Sequence, residues 1–270
     1  MRWVAEDFGD VLSVQALHDD AAPWLVRTSK GNAVLRSVTD RIGVSMVATG
    51  AAALLAAEEY GLPAPRLLAS ELNELHVTLE TIAEGSTRWP QNASPALLRD
   101  AGAALARIHA HTRAPQQQLP YRPRPIAVDD FARDRRQGLM PTTPLLQKAD
   151  EIIQGIAAPS GETVFLHGDV WPGNVMIDGE RCVALIDWKT AGVGQPGVDV
   201  SELRKQVALT YGPDAPAHVQ AGWESEAGRP AEDVAYWDAT AALNTRTQLD
   251  EPELTIRRDA FLSRALSKLT

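Results

Sequence analysis

The chain has 270 residues, 44% of them hydrophobic, a formal net charge of −9 and one cysteine, Cys182. That length can bury one large core or two smaller ones, and a pI near 5.2 argues against a general nucleic-acid binder, whose phosphate contacts need clustered Lys and Arg. A lone cysteine makes no intrachain disulfide, which suits a cytoplasmic setting. No run approaches the ~18 apolar residues of a membrane span, and "MRWVAEDFGD" carries acids where a signal peptide needs an apolar core. The expected partners therefore include neither nucleic acid nor membrane.

Three β-patterned runs open the chain: "VLSVQAL" at 11–17, "WLVRTS" at 24–29 and "AVLRSV" at 33–38. The last two flank Lys30-Gly31-Asn32 and read as a hairpin. An alanine-rich helix is predicted from about 44 to 60, with Gly61 as C-cap and Pro63 as stop. "PRLLAS" and "LHVTLETI" read as two more strands around Leu72-Asn73-Glu74. Beyond Gly85 the pattern turns helical. Ser94-Pro95 is a helix start, and Leu97, Leu98, Ala101, Leu105 and Ile108 form one apolar stripe. A Pro- and Gln-rich loop spans 113–128, and helical patterns return at 129–137, 144–157 and through most of 199–269.

The most informative stretch is "FLHGDVWPGNVMIDGERCVALIDWKTAGVGQPGVD", residues 165–199. An apolar strand runs into His167-Gly168-Asp169, Asn174 follows five residues later, and a second apolar strand ends at Asp187. A turn at Asp178-Gly179 pairs "NVMI" with "CVALI" and brings Asn174 and Asp187 to one end of a hairpin. Charge at the ends of buried strands is expensive unless compensated. An amide oxygen and a carboxylate are hard ligands that suit Mg²⁺ held partly by substrate phosphates. Asp169 is then free to accept a proton.

The pattern "HGD-x-x-x-x-N" followed by "IDW" resembles the aminoglycoside phosphotransferase and choline kinase superfamily, which shares the protein-kinase-like fold. "GLPAPRLLA", "AGAALARIHAH" and "GQPGVDVSEL" are similar to further family segments, so the resemblance spans nearly the whole chain. It implies an α+β, two-lobed fold, with a small nucleotide-binding lobe over 1–82 and a larger, mainly helical lobe over 83–270. It also implies transfer of the γ-phosphoryl group of ATP or GTP, with Mg²⁺, to a hydroxyl of an aminoglycoside-like antibiotic or related metabolite. Asp169 would be the base, Asn174 and Asp187 the metal ligands, and Arg36 the phosphate-binding residue. Leu79, Thr81 and Ile82 would belong to the hinge facing the base. His167 and Asp199 would support the catalytic loop. The chain is expected to be a monomer or homodimer.

Three departures stand out. Arg36 occupies a position where the family usually has Lys; it keeps the charge with a different geometry. The helix position expected to hold its Glu partner is Gly50, so Arg36 is expected to lack that helix ion pair and to depend on bound nucleotide for its conformation. The loop "HDDAAP" has no glycine to approach phosphates. Alternatives are a kinase of a sugar-amine or amino-alcohol (choline, fructosamine or homoserine type) and a nucleotide-binding pseudokinase. Trp171 reads either as a wall of the acceptor site or as a wedge in the core. Residues 212–253 are acid-rich; Glu224, Glu226 and Asp238, near Trp223 and Trp237, read as a rim for a cationic acceptor or as a solvated surface. His109 and His111 face different ways on one helix and are poor co-ligands.

Overall fold

The computed structural model describes residues 2–18, 21–126 and 128–270. The loop at Asp19 and Asp20, where the missing glycine bears on phosphate approach, lies outside them. The chain divides into two compact units. One contains the residues up to Glu84 together with Ala184–Lys189, the other Gly85–Val183 and Thr190–Thr270.

In the first unit a short helix, α1 (Arg2–Phe8), precedes strands β1 (Val11–His18), β2 (Ala21–Thr28) and β3 (Gly31–Ser37). Helix α2 (Arg41–Glu59) and strands β4 (Leu67–Glu71) and β5 (Val77–Glu80) follow. The strands form one antiparallel sheet in the order β1-β2-β3-β5-β4. Val4, Val26, Ala33, Leu35, Val77 and Leu79 make its core. Asp40 caps α2 by accepting the Gly43 amide at 2.8 Å, and Gly61, at φ +65°, ends it in the left-handed conformation. By length and mean hydropathy alone α2 is apolar enough to cross a membrane, though polar residues interrupt its apolar run. Its buried Val47, Ala53, Leu54 and Ala57 instead pack it on β4 and β5 as a core helix.

The second unit begins with α3 (Pro95–His109), α4 (Phe131–Arg136) and α5 (Pro144–Gly155). Strands β6 (Val164–Leu166), β7 (Val175–Asp178), β8 (Arg181–Leu185) and β9 (Gly192–Gly194) come next, β8 running on into the first unit. They are followed by α6 (Gly197–Tyr211), α7 (Ala215–Ala227), α8 (Val234–Leu243) and α9 (Pro252–Leu266). β6 pairs antiparallel with β9 and β7 pairs with β8. Ser94 caps α3 through the Leu97 amide at 3.1 Å, with Pro95 in the first turn as its sequence indicates. Leu146, Ala149, Ala239, Ala242 and Leu262 are among the residues that weld α5, α8 and α9 into one core.

Helices α3 and α7 touch backbone to backbone. A Cβ on Gly102 would collide with the Val219 carbonyl, and one on Gly222 with the carbonyl of Arg99. Neither obstacle is a side chain that could swing aside. At Gly50, inside α2, an added Cβ would lie an ordinary 3.7 Å from the Lys189 Cα. Gly102→Ala and Gly222→Ala should therefore each cost at least ~1–3 kcal/mol through overpacking, whereas Gly50→Ala should add up to about 1 kcal/mol through helix propensity. Urea unfolding of the three variants checks the contrast. A Gly50→Ala protein as unstable as the other two would contradict it.

Candidate active site

The loop after β6 is built around one buried carboxylate. Asp199, in the first turn of α6 and fully buried, accepts the His167 amide on Oδ2 and the Gly168 amide on Oδ1, each at 2.8 Å. Gly168 is required twice over: its φ is +85°, and a Cβ there would strike the Thr190 carbonyl. The carboxylate thus clamps two successive backbone amides and aims the next residue, Asp169. Burial alone would push the Asp199 pKa up, but the His109 imidazole and the Gly168 amide outweigh it and hold the group below its ordinary 3.8.

His109, the last residue of α3, lies 3.2 Å from Asp199 Oδ2 through Nε2. Its Nδ1 accepts the Trp223 indole N–H at 2.9 Å. Because an indole nitrogen only donates, the imidazole proton belongs on Nε2, facing the carboxylate. A buried chain therefore runs from Trp223 on α7 through His109 on α3 to Asp199 on α6 and the loop backbone. In sequence His109 reads as a packed or solvent-exposed residue and a poor metal co-ligand. Its partners lie 90 and 114 residues away, and only a buried His ending an apolar stripe hinted at them.

Asp169 is partly exposed, and its amide donates to His167 Nδ1 at 3.3 Å. Asn174 is buried. Its Nδ2 donates to the Asp169 carbonyl at 2.9 Å and to Asp169 Oδ2 at 3.3 Å, so the amide's acceptor oxygen is turned to other use. A short 3₁₀ turn, Pro172–Asn174, makes the connection. Trp171 is 44% exposed, with its ring laid where a Gly173 side chain would be. It is therefore no wedge in the core, and the alternative it leaves is a wall beside the loop.

In the first unit Arg36, on β3, has two carboxylate partners. Its Nε bonds Glu80 Oε1 and its Nη1 bonds Asp187 Oδ1, both at 3.0 Å. Lys189 Nζ reaches Asp187 Oδ2 at 2.6 Å. Asp187 itself sits at φ +65°, an uncommon conformation for a non-glycine residue that often marks a functional position. As Gly50 implies, Arg36 has no partner on α2, but β5 supplies a carboxylate in its place. Burial pulls the Arg36 pKa down, but Glu80 and Asp187 outweigh it and hold it above its ordinary value. Among the described residues no group of three or more His, Cys, Asp or Glu could hold a metal. Asn174 and Asp187 each offer an oxygen donor of the kind Mg²⁺ takes, and Mg²⁺ rarely uses an all-protein cage.

Other predicted site residues fall elsewhere. The Leu79 side chain is fully buried in the sheet core, so no side-chain contact with a base follows. Thr81 is occupied by Arg66, through its amide to the Arg66 carbonyl at 2.9 Å and its hydroxyl from the Arg66 amide at 2.8 Å. Ile82 is 48% exposed. The acidic rim dissolves in large part. Trp223 and Trp237 are buried, and Asp238 is buried in a bidentate pair with Arg204 at 2.9 and 2.7 Å. Glu224 accepts from Gln220 at 2.7 Å and from the Ala231 amide at 3.1 Å. Only Glu226 stays well exposed, and it lies 3.6 Å from Arg107. Helix packing consumed the charges that composition suggested for a ligand.

A family model described as the phosphotransferase enzyme family matches residues 13–247. None of the curated proteins matches the chain by sequence. Among solved structures, the macrolide 2'-phosphotransferase MphH from Brachybacterium faecium is similar at 20% identity and a TM-score of 0.65, over 98% of this chain and 96% of that one. A thermostable mutant of the aminoglycoside phosphotransferase APH(4)-Ia, in ternary complex with ADP and hygromycin B, is similar at 18% identity and a TM-score of 0.66, over 98% and 97%. These likenesses establish the α+β kinase-like fold that the motifs implied.

The Asp199 clamp has a pH signature. With a folded pKa below the unfolded value, Asp199 stabilises the protein above pH 3.8 and loses that contribution as pH falls through the folded value. Asp199→Asn should cost about 3 kcal/mol near neutrality, the scale for breaking a buried charged network, and should flatten the acid limb of stability against pH. Urea unfolding of both proteins across the acid range tests this. An unchanged acid limb would show that Asp199 contributes nothing to it.

Proposed function

Because the chain belongs to the phosphotransferase enzyme family, we propose that it transfers the terminal phosphoryl group of ATP or GTP to a hydroxyl of a small molecule. The observation that carries this reading is Asp169 with Asn174: a partly exposed carboxylate beside an amide whose nitrogen is tied to the same loop. Asp169 accepts the acceptor's hydroxyl proton. Arg36 grips the nucleotide phosphates, to which a guanidinium can bond bidentately. Asn174 through its carbonyl oxygen and Asp187 through its carboxylate would hold Mg²⁺, which when bound neutralises phosphate charge. Lys189, already against Asp187, carries a second positive charge to that position. Most of the rate gain then comes from positioning and preorganised charge.

The acceptor class we favour is an antibiotic of aminoglycoside or macrolide type, on the named substrates of the similar structures, with Trp171 as one wall of its site. Ile82, half exposed, is the hinge residue best suited to meet the base. The pseudokinase reading loses its main support, since the carboxylate absent at Gly50 is matched by Glu80. A cytoplasmic setting is proposed on the single cysteine alone; burial pushes its thiol up to about 12 and leaves it unreactive in any compartment.

A coupled ADP- and GDP-release screen over aminoglycosides, macrolides and amino-alcohols tests the reading; no turnover with any of them would count against it. With an acceptor in hand, Asp169→Asn should lower turnover by at least ~10²-fold, as expected on losing a general base, and leave nucleotide affinity nearly unchanged. Asp187→Ala should weaken nucleotide binding as well, and more strongly when magnesium is present. Calorimetry with and without Mg²⁺ separates the two. Equal effects of both substitutions on nucleotide affinity would refute the division of roles.

A further inference from the structure

We propose that Glu80 is the positioning residue for Arg36, replacing from the sheet the carboxylate that α2 does not carry. The inference rests on the reading of Arg36 as the phosphate-gripping residue. Helix α2 has no acidic residue before Glu58, near its C-terminal end, and presents Gly50 where a partner was expected. β5 is buried at every position, yet it contains Glu80, only 5% exposed. A carboxylate there is costly unless it is paired, and an apolar residue would satisfy the packing at no such cost.

The antiparallel register supplies the reason it can serve. Arg36 stands opposite Thr78, and Glu80 opposite Val34. Glu80 is thus two residues along from Thr78 on the same face, diagonal to Arg36, at a spacing long side chains can bridge. Its Oε1 takes Arg36 Nε at 3.0 Å and the Thr78 hydroxyl at 3.2 Å, while Asp187 takes Nη1. Two carboxylates bonded to different nitrogens fix the plane of the guanidinium. A lysine offers one nitrogen and cannot be held this way, so the choice of Arg at position 36 and the siting of Glu80 explain each other.

In protein kinases the equivalent ion pair forms only when a helix is correctly positioned. Here both partners lie on adjacent, hydrogen-bonded strands of one sheet, so the grip is set before any nucleotide arrives.

The test compares binding of ATP and GTP, each with Mg²⁺, against binding of adenosine and guanosine, in Arg36→Ala, Glu80→Gln and the double variant. Glu80→Gln should weaken triphosphate binding by roughly tenfold or more, the scale of one charge-assisted hydrogen bond, leave nucleoside binding within about twofold, and add nothing on top of Arg36→Ala. If Arg36→Ala weakens triphosphate binding and Glu80→Gln does not, or if their effects simply add, Glu80 is no positioning residue. If Arg36→Ala itself changes nothing, the phosphate role of Arg36 falls instead. Should Glu80→Gln fail to fold, the Arg36 Nε proton can be followed by NMR in the unsubstituted protein. Slow exchange with water before nucleotide is added supports the proposal, and fast exchange that slows only on binding overturns it.

Discussion

Everything proposed for the second unit depends on one carboxylate taken out of water. Asp199 is unreachable by solvent, and what makes its charge tolerable is the set of donors turned on it: two consecutive backbone amides and an imidazole. A charge-assisted bond is about twice as strong as a neutral one, so clamping a loop with a carboxylate fixes it more firmly than an amide side chain would. The His-Gly-Asp order then follows mechanically. The first two residues give their amides to the clamp, glycine takes the left-handed turn, and the third residue is carried on to meet the Asn174 amide.

The first unit solves a different problem with the same currency of paired charge. Glu80, Arg36, Asp187 and Lys189 alternate in sign along their chain of contacts, so each charge is screened by its neighbours. Burial pushes the Glu80 carboxyl up, with Arg36 and the Thr78 hydroxyl working against it. A guanidinium does not release its proton in any working range, so Glu80 always faces a cation. The arrangement is costly as a stabilising device and sensible as a means of presenting a cation in one orientation.

Much of this was legible in the sequence, for identifiable reasons. Asp169, Asn174 and Asp187 stood out because their spacing is a local property of one loop and one hairpin. The five strands and α2 stood out through alternation and caps, and Asp199 through the segment that surrounds it. What escaped depended on non-local pairing. Glu80 gains its meaning only from the β3–β5 register, and His109 only from helices that meet it from far along the chain. β9 is Gly-Val-Gly, which has no strand propensity of its own and owes its form to β6. The acid-rich segment misled because composition counts charges without saying which of them find partners inside, as Asp238 does with Arg204.

The contact between α3 and α7 reaches beyond packing. Gly102 and Gly222 bring the two backbones together at the crossing, and the bond from Trp223 to His109 lies a short way along the same seam. Neither helix can loosen without parting that bond. The two should therefore open to solvent as a single cooperative unit. Local breathing of α7 alone should then be suppressed, and the Asp199 clamp should share that protection.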